Sequence, residues 1–145
     1  MRGSRIWLVL ALLALSACEP PPTAQSPLAP VHDWRLTRLG ERSDVPDGQS
    51  GPALTLLFDT AKAQVSGFAG CNRFAGGYTL NGAQLRFGPL AVTRMACEKG
   101  MELEGAYLAA LAAADQLHLS GGELELVGPE GAKTALRFRP LQPPP

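Results

Sequence analysis

Short runs of alternating apolar and polar side chains, separated by glycine-bearing turns, set the strongest limit on what this chain can become. Leu85-Arg86-Phe87, Leu117-His118-Leu119, Leu124-Glu125-Leu126 and Leu136-Arg137-Phe138 each send two apolar side chains to one face and a polar one to the other. That is the period of a half-buried strand, not of a helix. Trp34–Leu39, Leu54–Phe58 and Gln64–Phe68 read as further strands. Asn81-Gly82 follows Tyr78-Thr79-Leu80, and Gly121-Gly122 follows Leu119; both pairs are two-residue hairpin signals. Gly128-Pro129-Glu130-Gly131 marks a looser turn. The pattern predicts about seven or eight antiparallel strands.

One stretch breaks the alternation. Glu98 to Ala114 has no Pro, and Leu103, Tyr107, Ala110, Leu111 and Ala114 recur at helical spacing beside Leu108. Glu98, Glu102 and Glu104 crowd its start, where the helix dipole favours anions, while Gly100 and Gly105 weaken it. A single apolar helix among one-faced strands needs a surface to bury it. The expected fold is therefore α+β, mainly β: an antiparallel partial barrel with the helix packed in its mouth.

The N-terminus reads as an address. Arg2 and Arg5 precede ten apolar residues, Ile6 to Leu15, which would span about 15 Å as a helix. That suits a signal-peptide core and is too short for a membrane span. Leu15-Ser16-Ala17-Cys18 resembles a bacterial lipobox. The resemblance implies a signal peptide of residues 1–17 and acylation of Cys18, whose thiol takes the lipid. Three acyl chains on one residue exceed the two signals that stable anchoring requires. Glu19, where Asp would favour inner-membrane retention, points to the outer membrane. Residues 18–30 then form a lipidated, Pro-rich tether, with five prolines among residues 19–30. Residues 31–141 form the domain, and 142–145, ending in three prolines, a disordered tail.

Thirteen basic and thirteen acidic residues cancel, and only 6% of residues are aromatic. Nucleic acid is thereby disfavoured as a partner, since it needs excess cation or stacking platforms. Removing residues 1–17 takes two Arg and no acid, leaving a net charge of −2, so the lipid rather than charge must hold the protein at a membrane.

Few residues could carry chemistry. Cys71 and Cys97 remain after Cys18 is assigned, and an oxidising compartment makes a disulfide the first expectation. Free core cysteines and a redox or metal pair stay open, although neither thiol lies in a CxxC. His32 and His118 are far apart in sequence and read as solvated. No nucleophile elbow, zinc-binding helix motif or close carboxylate pair outside the helix occurs, so no catalytic residue, cofactor site or metal site is expected. The glycines of Gly67-Phe68-Ala69-Gly70-Cys71-Asn72-Arg73-Phe74-Ala75-Gly76-Gly77-Tyr78 lack a phosphate-loop ending. They read as a turn in which Gly70 and Gly76-Gly77 allow positive φ, Asn72 bonds backbone, and Cys71 points inward.

That stretch also carries a family resemblance. Gly70-Cys71-Asn72-Arg73-Phe74 with Gly77-Tyr78, then Leu85-Arg86-Phe87, Thr93-Arg94-Met95-Ala96-Cys97, a Glu-containing helix and Leu124-Glu125-Leu126 resemble the META domain of HslJ-like bacterial lipoproteins. The resemblance runs from Trp34 to Phe138. It implies a lipocalin-like or conical barrel with one helix and no enzymatic activity. It also implies a link to the envelope, stress response and antibiotic tolerance. Gly70, Cys71, Asn72, Arg73, Tyr78, Thr93, Arg94 and Cys97 are its motif positions, which the physical reading makes architectural.

The resulting expectation is a monomeric, non-enzymatic envelope lipoprotein on the periplasmic face of the outer membrane that binds an envelope component. Two alternatives remain: a carrier of a small apolar ligand inside the barrel, and a thiol–disulfide redox protein using Cys71 and Cys97.

Overall fold

The computed structural model describes residue 28 and residues 33–129 and 135–141. Cys18, the signal peptide, His32 and the tail fall outside them. The strands are β1 (Asp33–Leu39), β2 (Thr55–Asp59), β3 (Gln64–Phe68), β4 (Arg73–Asn81), β5 (Gln84–Phe87), β6 (Ala91–Val92), β7 (Gln116–Ser120), β8 (Glu123–Val127) and β9 (Leu136–Pro140). A single helix among the described residues, α1 (Met101–Ala113), lies between β6 and β7.

The strands pair in the order β3-β2-β1-β9-β8-β7-β5-β4, and β4 returns to β3, so eight strands close a ring. All pairings are antiparallel. β6 continues β5 along β4 after a break, Phe87 lying opposite Tyr78 and Ala91 opposite Ala75. The barrel thus goes further than the partial one expected, closing through a thin seam. There Gln84 faces Gln116, Leu85 N–H donates to Asp115 O at 2.9 Å, and Leu117 N–H donates to Ala83 O at 2.8 Å.

Alternation decides what the ring encloses. Leu36, Leu56, Leu85, Leu124, Leu126 and Phe138 point inward and are fully buried, whereas Arg35, Arg86, Glu125 and Arg137 face outward. The helix enters this interior with Tyr107, whose ring packs edge-on to Phe74 at 5.9 Å and against Phe138 at 6.3 Å. Its hydroxyl donates to Thr55 O at 3.0 Å, giving the polar tip a partner inside the core. Leu28, within the segment read as tether, is 1% exposed and joins the same core.

Several expectations change in detail. The helix begins at Met101, not Glu98, because Gly100 sits at φ 93°, a left-handed conformation that halts helical hydrogen bonding before it. Gly76 and Gly77 are not in a positive-φ turn; they lie inside β4. Leu90 crosses directly over Gly76, where a Cβ would come within 2.8 Å of the Leu90 side chain and the Pro89 carbonyl. Leu119 shares its strand face with Leu117 but sits at the rim and stays 37% exposed. His118 is exposed, as expected, opposite Glu125.

Gly67 is held by sterics in the same way. A Cβ there would overlap Thr55 O and approach the Phe74 ring to 2.6 Å. We expect Gly67→Ala to destabilise the domain by about 1–3 kcal/mol, the usual range for overpacking. A thermal melt that matches wild type would contradict this tight approach of β2, β3 and β4.

Candidate functional site

The motif residues converge where the loop from β3 to β4 meets the start of α1. Gly70 and Gly100 face each other backbone to backbone: a Cβ on Gly70 would lie 3.4 Å from Gly100 O, and one on Gly100 would lie 3.3 Å from Gly70 O. Both have positive φ, 121° and 93°, so side chains are disfavoured there on two counts. This contact brings Cys71 and Asn72 over the first turn of the helix.

The helix answers with Glu104, only 5% exposed. One carboxylate oxygen accepts from the Cys71 N–H at 3.0 Å and the Asn72 N–H at 2.6 Å. The other accepts from Asn72 Nδ2 at 2.8 Å. Asn72 uses its remaining capacity on the segment after β6. Its Nδ2 also donates to Met95 O at 3.2 Å, and its Oδ1 accepts from Thr93 Oγ1 at 2.9 Å and Met95 N–H at 2.7 Å. Both amide donors and both carbonyl lone pairs are thereby occupied. The Asn72 carbonyl also accepts from Ala69 N–H at 2.8 Å, closing the turn.

Charge follows from these bonds. Burial alone would push the Glu104 carboxyl up, but the Asn72 amide and the two backbone N–H donors outweigh it and hold the group below its ordinary value. Glu104 is therefore a buried carboxylate whose neutralising partners are dipoles rather than a cation.

The disulfide fastens two of these segments, the β3–β4 loop and the stretch after β6 that leads into α1. Cys71 and Cys97 are joined with S–S 1.98 Å and Cα atoms 6.0 Å apart. Cys71 is 2% exposed, so an attacking thiolate has little access to its sulfur. Thr93 also accepts from Arg73 N–H at 3.0 Å, while the Arg73 and Arg94 side chains point to solvent. Tyr78 lies away from this cluster, buried edge-on against Phe58 at 5.0 Å. The motif positions thus divide into a latch of Gly70, Cys71, Asn72, Thr93 and Cys97, of which Cys71 and Asn72 are buried, two exposed arginines, and one core tyrosine.

In the sequence Glu104 reads as an acid favoured by the helix dipole, and its partners at Cys71 and Asn72 do not show. The signal was present: Glu104, Tyr107 and Leu111 share one helix face, and an acid in an otherwise apolar stripe is paired when buried. Among the described residues, no three His, Cys, Asp or Glu side chains group to hold a metal ion. Nor is any described helix long and apolar enough to cross a membrane.

A family model for the META domain matches residues 26–140. The fold is similar to an NMR structure of a protein from Burkholderia xenovorans, with 34% identity and a TM-score of 0.63 over 77% of this chain and 83% of that one. A second protein solved by NMR shares 27% identity at a TM-score of 0.58, covering 74% and 87%. The crystal structure of a DUF4847-family protein from Bacteroides vulgatus shares the fold at 14% identity and a TM-score of 0.53, covering 75% and 92%. No curated protein matches the chain in sequence.

Proposed function

Since the chain belongs to the META-domain family, we propose that it works as a non-enzymatic lipoprotein of the cell envelope, binding another envelope component in support of envelope integrity or stress tolerance. In this reading Cys18 carries the lipid and the domain faces the periplasm from the outer membrane. One observation carries the non-enzymatic part: the buried polar groups at the motif are matched to one another. Glu104 accepts three N–H groups, Asn72 is saturated, and the cysteines are bridged. An acid or base held this way has no free position for a substrate. Binding is left to the outer wall of the barrel. Tyr107, Leu111 and Phe138, all fully buried, occupy the interior that an enclosed ligand would need.

The test is crosslinking in intact cells. The acylated protein should incorporate labelled palmitate and co-purify a reproducible envelope partner, whereas Cys18→Ser should lose the label and most of the partner. Equal labelling of the two forms would refute the lipid anchor. Failure of the acylated form to retain any reproducible partner would refute the binding role.

A further inference from the structure

We infer that the outer wall of the barrel holds a binding trough for a linear alkyl chain with an anionic head, namely a long-chain fatty acid. This goes beyond the reading above and does not require the lipid anchor.

Strand register places Leu57, Ser66, Ala75 and Ala91 in one row across β2, β3, β4 and β6. These positions face outward, and the last three carry the smallest side chains that outward strand positions can offer short of glycine. Three steps between strands make the row about 14 Å long. The result is an open cleft of about 510 Å³ along the wall, within the usual size of small-ligand sites. The tight approach at Gly67, with the Phe74 ring beneath it, sets part of its floor.

The two threonine hydroxyls at this cleft are already engaged, whereas the Ser66 hydroxyl and the Arg73 guanidinium have no partner among the described residues. Thr55 Oγ1 accepts from Phe68 N–H, and Thr93 Oγ1 donates to Asn72 Oδ1 and accepts from Arg73 N–H. Arg73 is different. Arg42, Arg137, Arg139 and Lys62 pair with carboxylates, and Arg35 and Arg38 donate to backbone carbonyls. The Arg73 guanidinium, exposed at the cleft, has neither kind of partner among the described residues. An apolar trough beside a cation without a counter-ion complements an alkyl chain bearing a carboxylate. Guanidinium can hold that head with two parallel hydrogen bonds.

The probe is dansyl-undecanoic acid, titrated against full-length Cys18→Ser protein so that no acyl group on the chain competes. The matching dansylated alcohol serves as the neutral control. The acid should bind saturably and more tightly than the alcohol. Ala75→Trp fills the middle of the row from an exposed position and should weaken the acid by about tenfold or more. Arg73→Gln should remove the acid-over-alcohol preference. Ala91→Trp provides an independent block should Ala75→Trp fail to fold. Equal affinity in wild type and a folded filling variant would overturn the trough. Equal acid preference in wild type and Arg73→Gln would overturn the role of the cation. Acid that binds no better than the alcohol in wild type would likewise overturn the fatty-acid assignment.

Discussion

Glu104→Ala should lower stability by about 3–5 kcal/mol, because it strands the buried N–H groups of Cys71 and Asn72 and one proton of the Asn72 amide. Each unsatisfied buried donor costs about 1–3 kcal/mol. For a domain of this size the melting temperature should fall by at least about 12 °C. The pH dependence has a definite sign. The Glu104 pKa is depressed in the folded protein, so its contribution is present above its ordinary value of 4.5. It is lost as pH falls through the lower folded-state value. Wild type should lose stability over that acid range, and Glu104→Ala should lose less. Asp47 and Asp59 are also depressed. Both remain in the variant, so the difference between the two pH profiles isolates Glu104. Parallel profiles would contradict the carboxylate described here.

Cys71→Ser should cost about 2–5 kcal/mol, the usual range for removing a native disulfide from a small domain. The bridge spans 26 positions, for which loop-closure entropy alone gives about 3.5 kcal/mol. The effect is structural as well as entropic, since the bridge fastens the Asn72 turn to the segment leading into α1. Reducing the wild-type protein under denaturing conditions should produce a similar loss on refolding. A melting temperature within a degree or two of wild type would show that the bridge contributes nothing.

The barrel was legible because its strands face water on one side. Gln64–Phe68 appears in the structure with the bounds its pattern suggests, and Leu124–Leu126 and Leu136–Phe138 lie within β8 and β9. The helix was legible from Leu103, Tyr107 and Leu111, although its first turn was not, because a left-handed Gly100 is a backbone property that composition cannot settle. Where long-range contacts decide, local patterns failed. Gly76 and Gly77 look like a turn until Leu90 is seen crossing over Gly76. β6 is two residues long, too short to show a period. The site was half legible. The Gly70-Cys71-Asn72 turn and its inward cysteine were expected. The link from Asn72 to Glu104, 32 positions away, needed the barrel to bring them together.

The Gly70-Cys71-Asn72 turn and Glu104 form a mechanical latch between sheet and helix. A double-mutant cycle on Asn72→Ala and Glu104→Ala, read by denaturant unfolding, measures this directly. A shared latch predicts that the second substitution does much less damage than the first, with a coupling of about 1 kcal/mol or more. Losses that add to within about 0.5 kcal/mol, or single variants that unfold at the wild-type midpoint, would show that these residues are held in place for some purpose other than joining the two elements.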